Sequence, residues 1–539
     1  MNVAFDPWIP VVTAAGKPQM ASLCTVLAEG KQFADLAVRP HERVALMRLF
    51  LCVAHAALDG PRNYAEWCRV PQMLPGAIQK YLADWQDSFE LFHPEKPWLQ
   101  VAKLKCTDSG KTSPVALLDF EMATGNNSTL HDHGGQARFR QITPERMALN
   151  LVTFQNFSSG GGAPVAQWET IKTGQVGNPD APCLSQSMVH CLLRGQNLHE
   201  TIHLNLPTYE RIGVVYREFS TVKKEKEAKF TEVPFGRPVW EQFPNSPQDY
   251  ASIENATRTY IGRLVPISRW IRFHADTDQM ICCNGFKYNT YKDGFPAEPT
   301  AAVRLITKKD KKGIESVERR VVSASPNRST WRELSALLTK RETEGLGGSL
   351  AMENAPYDAA YDFQVCAMTR DQASMDIALE SVFHITPSFQ ANLPIYQTEV
   401  IYAERQSRKL RWSIEEYRTA VDNDWRPRVQ RTQPKEQNAL KDRLAQTAFL
   451  SYWTAVEKNL PLLLAHIEAI GTDAAIPTRE AWQKMLFRNA CTAYRVACGQ
   501  ETPRQVRAFA KGWQKLTARR DEPESESNET KEVSDEPTS

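Results

Sequence analysis

A chain of 539 residues with 42% hydrophobic and 24% charged positions falls in the globular range and has room for about two to four domains, which excludes a disordered chain and a small disulfide-stapled scaffold. Its net charge of +2 hides an asymmetry: residues 521–539 hold eight acidic residues against Lys531 alone, a contribution of −7 that leaves +9 on residues 1–520. A basic body of that kind favours a polyanionic partner through counterion release.

Residues 3–12 are β-rich and contain Pro7 and Pro10, which predicts an edge strand or an N-terminal arm. Residues 41–59 are apolar nearly all round and stop at Gly60-Pro61, the pattern of a buried helix. Arg48 and His55 interrupt this most apolar run, well short of the roughly 20 residues a membrane span needs, and the first ten residues lack a signal-peptide pattern. The eleven cysteines include no C-x-x-C. A cytoplasmic protein with free thiols and no membrane partner is therefore expected.

Ile78, Leu82, Trp85 and Phe89 mark a second, amphipathic helix. Mixed signals with many Pro, Gly and short β-like segments follow to about residue 390. Within them, residues 301–307 and 317–323 bracket KKDKKGIE as a hairpin with a basic tip, and Thr330 with Glu333 reads as a capping box that opens a helix. After Pro394 the composition changes, and helical segments are predicted at about 396–424, 435–470, 478–498 and 503–519. Gly471 and Gly499 end segments, and Thr502-Pro503 starts one. Trp482, Met485, Leu486, Asn489, Ala493 and Val496 form the expected core stripe. The fold class is thus α+β: a mixed domain at 1–390, a four-helix bundle at 395–520, and a disordered acidic tail at 521–539.

Phosphate-cradling P-loops, dinucleotide fingerprints and the serine-hydrolase elbow are absent from the sequence. His199-Glu200-Thr201-Ile202-His203 does match H-E-x-x-H, in which two histidines on one helical face bind zinc and the glutamate is general base. Against a zinc-dependent hydrolase, Ile202, Leu204 and Leu206 alternate as in extended chain, Pro207 follows closely, and spacing identifies no third ligand. His131-Asp132-His133 sits in a polar loop where such residues bond the backbone.

Three further segments fit DNA better than metal, although each taken alone also reads as an ordinary surface feature: a flexible connection, an exposed lysine and a connecting loop. Ser158-Ser159-Gly160-Gly161-Gly162 lacks side-chain bulk and lets backbone approach another surface. Lys287, in GFKYNTYKDG, is a cation flanked by aromatics. Arg370-Asp371-Gln372-Ala373-Ser374 is a polar turn after an apolar segment.

At these residues the chain resembles the large subunit of type I-E CRISPR Cascade, the CasA family. FDPWIPV at the start, HPEKPWLQV at 93–101, ATGNN at 123–127, the glycine run at 160–162, RGQNLHETIHLNL at 194–206 and RDQAS at 370–374 occur in the family's order, and the helical end matches as well. The resemblance covers nearly all of residues 1–520. It implies a non-enzymatic subunit that reads the protospacer-adjacent motif from the minor groove of double-stranded target DNA. The glycine loop would be Ser159, Gly160, Gly161 and Gly162, the lysine finger Lys287, and the wedge Gln372 preceded by Asp371. Arg405, Arg408, Lys409 and Arg411, with Arg418, Arg426, Arg428 and Arg431 after them, would suit a track for the phosphates of the opened duplex, the alternative being a solvated helix face. Implied partners are the other Cascade subunits, the CRISPR guide RNA and a helicase-nuclease effector that performs the cleavage; no cofactor is implied. Some relatives carry a cysteine cluster before the lysine strand where only Cys282 and Cys283 stand here, so no structural metal is expected. Asp371 replaces an asparagine found in some members.

Overall fold

The computed structural model describes residues 1–107, 112–122, 142–172, 177, 179–221, 228–274, 277–309, 315–326, 328–343, 345–371, 374–423 and 434–518. Two compact units divide between Ile385 and Thr386. Among the described residues, no helix is long and apolar enough to cross a membrane.

The Met1–Ile385 unit mixes helices with small antiparallel sheets. Ile9–Thr13 is the centre of its first sheet, between Pro18–Ala21 and Phe33–Leu36, not the edge strand expected from its prolines. Pairing with Phe33–Leu36 begins only at Val11, so the N–H that Pro10 lacks falls outside the ladder. Trp8 is fully buried and meets Trp98 edge to face at 6.0 Å, so the opening segment and HPEKPWLQV share one core. Pro40–Leu58 is the expected buried helix, with proline at its first turn and Asp59 left-handed at its end. The second helix runs earlier than expected, Val70–Asp84, and Phe89 belongs to a following 3-10 turn.

The basic-tipped hairpin pairs Val303–Lys309 with Glu315–Val321, its tip at 310–314 lying outside the described residues. Thr330 does not cap a helix: Glu333 is drawn instead to Arg304 (2.8 Å) and Arg328 (2.5 Å), and Thr330–Glu333 is a 3-10 turn preceding Leu334–Leu338. A longer sheet orders Ser374–Ile385, Tyr361–Asp371 and Val189–Arg194, all antiparallel.

Burial holds three imidazoles of this unit, His41, His55 and His190, down to about 4, with Arg39 adding to the effect at His41. An unfolded chain protonates these rings below about pH 6.5, whereas the folded chain does not until about pH 4. The unfolded state therefore binds more protons across that window, and stability falls as pH drops through it, each ring contributing on the order of 3 kcal/mol. The urea midpoint is expected to decline already between about pH 6.5 and 5, above the carboxylate range; a flat profile there would contradict neutral buried rings.

The Thr386–Ser539 unit is helical: Pro387–Ala391, Leu393–Asn423, Pro434–Lys458, Leu460–Ala469, Ala475–Ala497 and Pro503–Thr517. The segment expected at 435–470 is broken at Asn459, because Pro461 supplies no amide to the preceding turn. Trp482, Leu486 and Ala493 are buried as expected, but Val496 is 61% exposed in the last turn of its helix. Gly471 is left-handed (φ 85°), and Thr502 forms a capping box with Gln505. Gly512 lets the Pro503–Thr517 helix approach closely, since a Cβ there would lie 2.1 Å from the Tyr494 hydroxyl and 2.5 Å from the Ser413 carbonyl. Residues 519–539 lie outside the described residues.

Candidate nucleic-acid interface

The glycine run begins where the Pro144–Phe157 helix ends. Thr143 caps that helix and Pro144 opens it. Ser158 is buried, its hydroxyl 3.2 Å from that of Ser268 and its carbonyl accepting from Ala181 N–H at 2.9 Å. The Ser159 carbonyl accepts from the Arg269 guanidinium, and Gly160 N–H donates to Asp180 at 2.7 Å. Gly161 has φ 127°, a conformation suited to glycine, and a Cβ added at Gly177 would come within 2.7 Å of its carbonyl carbon. Gly161 and Gly162 are exposed. The run is thus a bare stretch of backbone presented on an anchored base.

Arg269 is the main anchor. It is buried, also donates to the Ser268 carbonyl (2.8 Å), and is pulled below its ordinary range by desolvation. Gln155 clamps the same residues, accepting from Arg269 N–H and donating to its carbonyl, both at 2.9 Å, while Ser268 Oγ donates to the Gln155 carbonyl at 2.7 Å.

Lys287 reaches this bracket from the other side. Gln279–Asn284 pairs with Arg269–Phe273, and the pairing continues past the strand, with Gly285 N–H bonded to Ser268 O and Phe286 N–H to Ile267 O, each at 3.2 Å. Gly285 is required there because a Cβ would stand 2.7 Å from Arg269 N. Phe286 and Tyr288 are buried and Lys287 between them is exposed, as alternation in extended chain dictates. The Tyr288 hydroxyl accepts from Ile267 N–H at 2.7 Å. The Arg263 guanidinium lies over the Tyr288 ring at 5.3 Å and over Phe295 at 4.1 Å. Among the described residues no hydrogen bond or ion pair engages the Lys287 ammonium.

The third segment is the turn between Tyr361–Asp371 and Ser374–Ile385. Asp371 closes its strand opposite Ser374, and Gln372 lies outside the described residues. Met368 is buried in one cluster with Phe157, Cys183 and Leu184, and Phe157 immediately precedes the glycine run. The strand that carries Met368 ends three residues later, at Asp371. The glycine run and the Lys287 segment therefore share one support, and Phe157 packs that support against Met368 of the Tyr361–Asp371 strand, about two hundred residues further along the chain.

The basic candidates of the helical unit lie on Leu393–Asn423. Arg405 and Arg408 are exposed, with Trp412 one turn beyond Arg408 and 49% exposed. Arg411 is half-buried, and Lys409 donates to the Ala518 carbonyl at 2.8 Å. Arg418 is paired with Glu415 at 2.5 Å. Arg426, Arg428 and Arg431 lie outside the described residues, as do ATGNN at 123–127 and His131-Asp132-His133.

His199 and His203 sit on a helix, Leu198–Leu204, capped by Asn197, so the extended reading of this segment is corrected. Their side chains are nonetheless committed to packing. The His203 ring stacks on Trp67 at 4.0 Å, with Nε2 3.0 Å from the Trp67 carbonyl, and Glu200 accepts from Gln196 N–H at 2.7 Å. Desolvation lowers both imidazoles. Among the described residues no three His, Cys, Asp or Glu side chains are grouped to hold a metal ion.

The chain is similar to known proteins over nearly its whole length. The model of the CRISPR-associated protein Cse1 family matches residues 2–493. A CRISPR-associated protein CasA/Cse1 of Thermus thermophilus is 28% identical over 490 residues, covering 87% of each chain. The crystal structure of a Thermus thermophilus CasA superimposes with a TM-score of 0.68 at 23% identity, covering 96% of this chain and 98% of that one. A chain of a CRISPR RNA-guided surveillance complex superimposes with a TM-score of 0.70 at 18% identity, covering 96% and 99%.

Proposed function

The chain belongs to the CRISPR-associated protein Cse1 family, and we propose that it serves as the large subunit of a type I-E RNA-guided surveillance complex, recognising the protospacer-adjacent motif in the minor groove of double-stranded DNA and starting duplex opening. The observation that carries this reading is the shared scaffold: Arg269 and Ser268 hold the glycine run on one side and the Lys287 segment on the other. The minor groove presents acceptors common to several base pairs, with the guanine amino group as the distinguishing donor. A bare backbone packed into the groove rejects that bulk, and one ammonium bonds the acceptors, so a set of motifs is tolerated rather than a single sequence.

Gln372 would enter below the motif and displace the first target pair. Unstacking one step costs a few kcal/mol, offset by motif binding and by the growing guide–target heteroduplex. Other complex subunits and guide RNA hold the chain in place, and cleavage falls to a recruited helicase-nuclease. The test is reconstitution with those subunits and guide RNA, followed by strand opening on targets that differ only in the flanking motif. Opening that depends on the motif and on this subunit is expected; opening at equal rates on every flank would overturn the proposal.

A further inference from the structure

The Pro503–Thr517 helix carries a cationic face that the functional reading leaves unused. Arg504, Arg507, Lys511 and Lys515 are spaced three, four and four residues apart, so they line one side of the helix over roughly 16 Å. The segment contains no acidic residue. Arg507, Lys511 and Lys515 are exposed, Arg504 is half-buried, and the flank about 100° round the helix buries Ala508, Gly512 and Leu516. Lys515 meets Glu416 at 3.4 Å. Among the described residues no ion pair engages Arg504, Arg507 or Lys511. Two more cations flank the helix: Lys409, bonded to the Ala518 carbonyl, and Arg495, 4.7 Å over the Trp513 ring. Like charges at this spacing repel one another, so the ridge costs stability unless an anion occupies it.

The sequence provides one directly beyond it. Residues 521–539 carry eight carboxylates and one lysine. We propose that this acidic segment occupies the Arg504–Arg507–Lys511–Lys515 ridge as an intramolecular polyanion and shields it from non-specific nucleic acid. Attachment beside the ridge puts the segment at an effective concentration on the order of mM. Its charge density is low, about one carboxylate per 8 Å of extended chain. Duplex DNA carries about one charge per 1.7 Å. The shield therefore holds against a passing duplex and yields to nucleic acid already held by other contacts.

The test uses the full chain with all eight carboxylates of residues 521–539 replaced by amides, alone and combined with Arg507→Gln and Lys511→Gln. The probe is a short fluorescent duplex of random sequence at low salt. Neutralising the acidic segment is expected to tighten non-specific binding about tenfold, and the two ridge substitutions are expected to remove most of that gain. Unchanged binding after neutralisation would overturn the proposal. An equal gain with the ridge substitutions present would do so as well, since the segment would then be acting elsewhere.

Discussion

Glu298→Ala is expected to destabilise the Met1–Ile385 unit by about 3–5 kcal/mol, because it removes the buried carboxylate that pairs with two buried guanidinium groups. Glu298 is 2% exposed and bonds Arg48 at 2.8 Å and Arg263 at 2.6 Å, themselves 0% and 2% exposed. Burial alone would raise its carboxyl, but the two guanidinium groups bring it down to about 2. Arg48 reaches across from the Pro40–Leu58 helix to the Arg263 and Leu264 carbonyls, so the cluster joins elements more than two hundred residues apart. With Glu298 gone, two guanidinium groups remain desolvated with only carbonyls and rings for company. Chemical denaturation reads the loss directly. Replacing the whole cluster, with Glu298→Leu, Arg48→Met and Arg263→Met together, is expected to recover most of it. A loss below about 1 kcal/mol for Glu298→Ala would show that the three charges are not energetically coupled.

Much of this molecule was legible in the chain itself. Local punctuation marked the Pro40–Leu58 and Pro503–Thr517 helices, because Gly60-Pro61 and Thr502-Pro503 act on their own neighbours. The glycine run and Lys287 were recognisable as motifs in a fixed order. What supports them was not. Gln155, Asp180 and Arg269 act through bonds that span tens to more than a hundred residues, and nothing in the spacing of one sequence pairs them. Gly177 and Gly285 look like ordinary loop glycines until the backbone opposite them is in view. The helix at Leu198–Leu204 was obscured by alternating apolar residues, of which Ile202 is buried within the helix, Leu204 is half-buried at its end and Leu206 is buried just beyond it. The cationic face of Pro503–Thr517 was present in the sequence, but a charge count averaged over 520 residues hid how it was concentrated.

Lys287→Ala carries the reading of the site furthest. The side chain is exposed and bears no internal bond among the described residues, so folding is expected to change by no more than about 0.5 kcal/mol. Its neighbours Phe286 and Tyr288 fix the backbone from below, which leaves the ammonium as the only thing lost. If that group bonds base edges in the minor groove, binding of targets with a permitted motif should weaken roughly 10- to 100-fold, corresponding to about 1–3 kcal/mol. Targets without a permitted motif should change far less, and the ratio between the two classes should collapse. Lys287→Arg keeps the charge but alters its shape, and should recover affinity more than discrimination. A uniform loss across all targets, with the salt slope reduced by about one, would identify Lys287 as a phosphate contact and move motif recognition to the glycine run alone.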